Sequence, residues 1–296
     1  MWLFFALLTP LFFAIVHVVD SYCVEDIFEE PWIGVITSAL ASFIIFIPLP
    51  YIAPLLHWEM PTLSILLMAL AAGALIQFSQ FFYFKALSYS EAGIVAAYWN
   101  MVPALVPFAS FLVFSRILKL EEYIGILLLI LASVCFCLLD ENKKMRWNSF
   151  FIMSIAACMQ VIMFLLQDVV FEHIPYSEGF YIITAGLILA GLTPLLFRRK
   201  RIMIARNSGT LYRFARLFVY IEVINLAALA SSQKAVSLGI PSLVAAVEST
   251  IPAYTFAISL LLFILLPMFG DPKSKQKLLQ KFSLVGLMTV GVFLIS

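Results

Sequence analysis

The chain has 296 residues, of which 64% are hydrophobic and 12% are charged, and its formal net charge at pH 7 is +1. Soluble domains contain about 45–50% apolar and about 25% charged residues, so this composition excludes an ordinary water-soluble fold. The sequence has no basic tract with interleaved aromatic residues, so we expect no nucleic-acid partner. The composition instead indicates an integral membrane protein.

Apolar runs separated by short polar breaks predict about ten transmembrane helices. Each span needs about 20 mostly apolar residues, because in hydrocarbon the backbone must satisfy its own hydrogen bonds. In chain order, the predicted spans lie near residues 2–20, 32–53, 62–86, 91–114, 121–140, 147–168, 177–197, 211–233, 239–266 and 281–296. The expected fold class is therefore all-α, a polytopic membrane protein.

An internal repeat emerges when the chain is aligned with itself at a shift of 149 residues. Residues 85–114 then match residues 234–263 at 11 positions without a gap. Pro103 and Pro252 coincide in this alignment, within the fourth and ninth predicted spans. Proline inside a helix removes a backbone hydrogen bond, so we expect a helix kink at both positions.

The repeat divides the chain into two predicted five-helix units, residues 1–140 and 147–296. A shift of 148 residues also places Asp20, at the end of the first span, over Asp168, at the end of the sixth. Because each unit has an odd number of spans, the second unit inserts upside down relative to the first. Inverted repeats of this kind recur in secondary transporters, with the substrate site between the halves.

These features resemble the drug/metabolite transporter superfamily, in the branch with paired EamA-type repeats. The motifs that carry the resemblance are Lys85-Ala86-Leu87 before Pro103, Lys234-Ala235-Val236 before Pro252, and the final apolar helices with Gly125 and Gly286. The resemblance implies export or uptake of a small metabolite by alternating access. It also implies a cavity lined by the first, third, fourth, sixth, eighth and ninth spans, with the fifth and tenth at the periphery.

The turns after the fourth and ninth spans depart from the family pattern. Members often carry a Gly-Glu-Arg-like turn there, whereas this chain reads Phe114-Ser115-Arg116-Ile117 after the fourth span. The second turn is replaced by a longer insertion, Leu266 to Lys281. The resemblance therefore indicates a superfamily and leaves the substrate open.

Polar side chains deep in the spans are the candidate substrate-binding residues, because an ionisable group in hydrocarbon usually faces a cavity or a partner. Glu248 lies in the ninth span, and Glu222 lies in the eighth with Asn225 on the same face. The shift of 149 places Glu248 over Trp99, and this pairing of acid and aromatic suits an amphipathic molecule with a positive group. The full predicted set is Trp99, Asn100, Glu222, Asn225, Glu248, Ser249, Gln77 and Gln80.

A second predicted set concerns ion coupling or gating. A deep carboxyl group can hold a proton, because burial disfavours its charged form, so Glu248 and Glu222 are candidate coupling residues. His17 and Asp20 lie one turn apart near the end of the first span, and with Asp168 they could form a gate or proton relay at a cavity mouth. The alternative is that these side chains only pair with neighbours or cap helix ends.

The hypothesis that we favour is a proton-coupled secondary transporter of a small metabolite in the cell (inner) membrane, surrounded by lipid. One alternative is a flippase for a lipid-linked group, and another is a membrane-embedded enzyme or structural subunit, which the repeat disfavours. The sequence has no nucleotide-binding glycine loop, no His-Glu-x-x-His and no nucleophile elbow. We therefore expect no enzyme activity, no cofactor and no metal. A homodimer through the fifth and tenth spans is left open.

The distribution of Lys and Arg predicts the orientation in the membrane. Connections after odd-numbered spans, together with the span ends next to them, carry 15 of these residues, and connections after even-numbered spans carry 3. The positive-inside rule therefore places both termini outside the cytoplasm. The family resemblance implies cytoplasmic termini, and we give preference to the count.

A reporter fused after Ser296 tests the orientation. We expect a fusion to a fluorescent protein that matures only in the cytoplasm to stay dark, and a fusion to a phosphatase that needs an oxidising compartment to be active. A bright fluorescent fusion with an inactive phosphatase fusion would show that the basic connections lie outside.

Overall fold

The computed structural model describes residues 1–27, 30–52, 60–89, 92–139, 147–265 and 275–296. All regular secondary structure in these residues is helical. The α-helices are α1 (Trp2–Asp26), α2 (Pro31–Ser42), α3 (Leu49–Ile52), α4 (Leu63–Leu87), α5 (Ala92–Trp99), α6 (Met101–Phe114), α7 (Leu120–Leu138), α8 (Trp147–His173), α9 (Tyr176–Leu192), α10 (Arg198–Leu238), α11 (Pro241–Glu248), α12 (Ile251–Leu265) and α13 (Lys275–Leu294). Short 3₁₀ segments follow α2 and α9.

The helices confirm the predicted class, an all-α polytopic membrane protein. Among the described residues, seven helical segments are long and apolar enough to cross a membrane, and they correspond to the second to eighth predicted spans. Shorter apolar helices, Trp2–His17 and Leu279–Leu294, lie in the first and last predicted spans. The ninth predicted span is divided between α11 and α12.

Helix α10 is longer than the sequence predicted, because it begins at Arg198 and not near residue 211. Its 41 residues make a helix of about 60 Å, about twice the thickness of the hydrocarbon layer. Apolar side chains in its first half, including Met203 and Ile204, pack against a cluster of α2 residues that contains Trp32.

An ion pair joins the start of α10 to the start of α2. The Lys200 ammonium lies 2.6 Å from Glu30 and also over the Trp32 ring, whose N–H donates to the same carboxylate. The hydrogen bond from Lys200 holds the pKa of the Glu30 carboxyl below its ordinary value. These contacts stabilise the first turns of α10, where the basic residues after the seventh predicted span indicated a break between helices.

Helices of one predicted unit pack on helices of the other. Helix α1 of the first unit packs along α10 of the second, and α8 of the second packs along α4 of the first. Helices α7 and α13, at the ends of the two units, pack on each other. This pattern is expected if the predicted repeat relates the units by an approximate two-fold axis. The division at residues 140 and 147 stays a prediction.

The fourth and ninth predicted spans are each interrupted, and the two interruptions lie at equivalent positions of the repeat. Helix α5 ends at Trp99 and α6 begins at Met101, while α11 ends at Glu248 and α12 begins at Ile251. The prolines predicted to kink the helices, Pro103 and Pro252, lie in the first turns of α6 and α12. A proline is tolerated there because the backbone N–H groups of a first turn have no partner within the helix. The breaks therefore place Trp99 and Glu248 at corresponding helix ends.

Two glycines allow α4 and α9 to approach closely. A β-carbon at Gly73 of α4 would overlap the carbonyl oxygen of Ile183, and one at Gly186 of α9 would overlap the carbonyl oxygen of Leu70. Small residues at helix crossings let the backbones approach closely. The resulting van der Waals contacts hold helices together in lipid, where no hydrophobic driving force acts between them. The contact fixes α4, which carries several residues of the candidate site.

We expect Gly73→Ala to lower the thermal unfolding midpoint of the detergent-purified protein, with a loss of about 1–3 kcal/mol from overpacking. Gly286→Ala is the matched control, because a β-carbon at Gly286 meets no atom within 4 Å. An equal midpoint for the two variants would contradict the close packing of α4 on α9.

Candidate functional site

A cavity of about 90 Å³ lies at the centre of the helices. Residues of α1, α4, α5, α8, α10, α11 and α12 line it, and these helices belong to the six spans that the family resemblance implied. Since one water molecule needs about 10–15 Å³ by this kind of measure, the cavity has room for several waters or a small ligand group. Six residues named from the sequence line it: His17, Asp20, Gln80, Trp99, Asn225 and Glu248.

Glu248 is the acidic group that the helix break presents to the central cavity. It is the last residue of α11, and its Oε1 accepts a hydrogen bond of 2.6 Å from the Ser232 hydroxyl of α10. No described Lys or Arg lines the cavity. A carboxylate with one neutral donor in a low-dielectric interior is poorly compensated, so it favours a proton or a cationic ligand.

Aromatic rings form the wall next to Glu248. The His17 ring lies 5.3 Å from the Tyr83 ring, and Tyr83 meets Trp99 edge to face at 5.8 Å between ring centroids. Phe13 extends the series at 6.2 Å from His17. Aromatic faces attract cations, so the wall and the carboxylate favour the same class of ligand.

Two glutamine side chains add acceptors to the cavity. Gln167 of α8 and Gln233 of α10 both line it and are almost completely buried. The side-chain carbonyl oxygen of each accepts no hydrogen bond from any described residue. A buried acceptor without a donor costs free energy, so these oxygens favour a ligand or water that donates hydrogen bonds.

Glu222 lies in a smaller neighbouring cavity of about 30 Å³, which we call the side cavity. Its Oε1 accepts hydrogen bonds from the Ser42 hydroxyl at 2.6 Å and the Asn225 amide at 3.1 Å. Asp20 and Gln80, like Asn225, line both the central and the side cavity. The structure therefore separates Glu222 from Glu248 and places Asp20 between them.

Three other predicted binding residues lie away from the lining of the central cavity. Gln77 is fully buried and donates its amide to the backbone oxygen of Val35 at 2.8 Å, which joins α4 to α2. Asn100 and Ser249 lie at the two helix breaks, in a third small cavity with Trp99 and Glu248. The binding roles predicted for these residues stay predictions.

Asp168 pairs with an arginine from the turn after α6. Ser115 ends α6 in the left-handed conformation, with φ 54 and ψ 26, which costs a non-glycine residue about 1–2 kcal/mol. The guanidinium of the next residue, Arg116, lies 2.5 Å from Asp168 and 2.5 Å from Glu172 of α8. These ion pairs join the two predicted units, and the gating role of Asp168 stays a prediction.

The sequence reasoning missed Tyr83, Ser232, Gln167 and Gln233 as lining residues. A signal for two of them was present, because Ser231-Ser232-Gln233 is a polar run within an apolar span. The search from sequence concentrated on ionisable groups. The position of Tyr83 depends on the crossing of α1, α4 and α5, which a single helix pattern does not contain.

Comparison with known proteins finds a transporter family for the first part of the chain and a solved structure of the same fold for nearly all of it. Residues 1–138, which contain α1 to α7, match the model of the EamA-like transporter family. A search of curated proteins finds no match. Among the 28 matching chains of solved structures, one crystal structure superimposes with a TM-score of 0.66 at 15% sequence identity. The alignment covers 99% of this chain and 95% of that one, and at this identity it shows the shared fold alone.

The apolar helices identify an integral, multi-pass membrane protein. The similarity of residues 1–138 to the EamA-like transporter family supports the resemblance to drug/metabolite transporters inferred from the sequence motifs.

Thiol labelling tests whether the central cavity admits water. In a variant whose four native cysteines are replaced by serine, we expect Gln80→Cys to react with a cationic thiol reagent, because reaction requires a hydrated thiolate. Val223→Cys on α10, whose parent side chain is 46% exposed on the outer surface, is the control and should stay unlabelled in liposomes. The opposite order of reactivity would show that Gln80 does not face a hydrated cavity.

Proposed function

We propose that the protein is a secondary transporter of a small amphipathic molecule that carries a positive group, in the cell (inner) membrane. The observation that carries the proposal is Glu248, a carboxyl group beside an aromatic wall in a central cavity that no described Lys or Arg lines. A protonated amine would pair with this carboxylate and rest against the rings of Tyr83 and Trp99. Its remaining N–H groups would find the acceptors of Gln167 and Gln233.

The same carboxyl group supports proton coupling. Without substrate, a charged Glu248 would have only the Ser232 hydroxyl as a partner in the interior, and binding a proton removes that charge. An arriving ammonium group stabilises the charged form and releases the proton. Substrate and proton would then occupy Glu248 alternately, which gives an exchange of one for the other across the membrane.

Alternating access would come from rocking of the two predicted units about the central cavity. Its walls come from both predicted units, and the packing of α1 on α10 and of α8 on α4 is the pattern expected if an approximate two-fold axis relates them. Inverted units of similar structure can exchange conformations, so that the cavity opens to one side and then the other. The ion pairs of Arg116 with α8 would have to separate when that side opens.

Transport by the purified protein in liposomes tests the proposal. We expect at least one member of a radiolabelled panel of amines, amino acids, nucleosides and cationic drugs to accumulate in response to a proton gradient. Glu248→Gln should weaken its binding at least about thirtyfold, since loss of one partner of a buried charge pair costs about 2 kcal/mol or more.

The matched control for that measurement is Glu178→Gln. Glu178 is a buried carboxyl group of α9, with 4% of its surface exposed, and it lines neither the central nor the side cavity. We expect this variant to bind and transport like the wild type. Transport of no panel member by the wild type, or equal transport by Glu248→Gln, would contradict the proposal.

A further inference from the structure

The side cavity contains oxygen atoms that the proposed transport mechanism does not use. Asp20 and Glu222 both line it and are nearly inaccessible, with 8% and 3% of their surfaces exposed. The other oxygen-bearing side chains around it include Ser38, Gln80 and Asn225. The cavity, at about 30 Å³, is too small for an organic substrate and large enough for one ion and a water molecule.

The hydrogen bonds around the side cavity leave carboxylate capacity unused. The hydrogen bonds from Ser42 and Asn225 to Glu222 both end on Oε1, so Oε2 takes part in neither bond. None of the described side-chain hydrogen bonds ends on the carboxylate of Asp20, a residue that is only 8% exposed. Asn225 donates its amide N–H to Glu222, so its amide oxygen is available to a cation.

Electrostatics favours a cation in the side cavity. The described residues that line it include no Lys or Arg, so two neighbouring carboxyl groups have no positive partner. Like charges in a low-dielectric interior repel strongly and require compensation. Carboxylate, amide and hydroxyl oxygens are the ligands that hard cations prefer. The described residues contain no cluster of three His, Cys, Asp or Glu that could hold a metal through such side chains alone, so neutral oxygens would have to complete the coordination.

We propose that the side cavity is a sodium-ion site, held by Asp20 and Glu222 and separate from the substrate carboxylate Glu248. The assignment of Glu248 rests on the proposed function, whereas the ion site rests on the side cavity itself. Because Asp20 lines both cavities, a sodium ion beside it reduces the negative potential of the central cavity. Sodium and a cationic substrate therefore oppose each other's binding, and this antagonism is reciprocal.

Binding of radioactive sodium to the detergent-purified full chain tests the site with the ion alone. We expect saturable binding of about one ion per chain by the wild type, and loss of at least about tenfold in affinity in both Asp20→Asn and Glu222→Gln, since each removes a charged ligand. Glu178→Gln, a buried carboxyl variant outside the cavity, should bind sodium like the wild type. Thermal unfolding of each variant shows whether it is folded.

Two outcomes of the sodium-binding measurement would contradict the site. No saturable sodium binding by the wild type, or unchanged binding in Asp20→Asn or Glu222→Gln, contradicts the site. If a variant fails to fold, Ser42→Ala provides the second test. It removes a hydrogen-bond donor to Glu222 without changing a charge, so we expect a measurable change in the affinity for sodium. An unchanged affinity in Ser42→Ala would count against the site.

Glu248→Gln separates this inference from the proposed function. We expect that variant to bind sodium normally while losing amine binding. A wild type that binds sodium through Asp20 and Glu222 but transports no amine would overturn the proposed substrate and support the ion site.

Discussion

The free energy of burying carboxyl groups in a membrane protein is the constraint on which the rest of this structure depends. Four such groups show four different degrees of compensation. Asp168 has an arginine partner, Glu222 receives two neutral donors, Glu248 receives one, and Asp20 receives none from the described residues. The two least compensated groups line the central cavity. Because an uncompensated charge is costly in hydrocarbon, the central cavity is where we propose that an external cation binds.

The relation between the two units explains how this asymmetry arises. The helix breaks lie at equivalent positions, so that Trp99 ends α5 where Glu248 ends α11. The backbone therefore presents the same location twice, once with an aromatic ring and once with a carboxyl group. A ligand between the units meets both chemistries at once. In the proposed mechanism, approximate symmetry would allow the conformational exchange, and the side chains that differ between the units would provide the selectivity.

Sequence reasoning was strongest where one helix alone carries the information. Composition and apolar run length predicted the membrane helices, and the repeat aligned Trp99 with Glu248, although the helix breaks at these residues were expected only as kinks at Pro103 and Pro252. It was weaker where contacts between helices decide: Gln77 binds a backbone oxygen of α2, and Asp168 meets an arginine from another turn. Helical periodicity assigns a residue to a face but does not say which neighbour covers that face. The early start of α10 was missed for the same reason, because packing against α2 outweighs a basic composition.

The central claim is that the cavity between the units binds a cation at Glu248. A cryo-electron microscopy map of the full chain with a saturating brominated arylalkylamine tests it most directly. The account predicts ligand density with its nitrogen within hydrogen-bonding distance of Glu248 and its ring against Tyr83 and Trp99. Density for the amine at the lipid-facing surface, with an unchanged central cavity, would contradict the account.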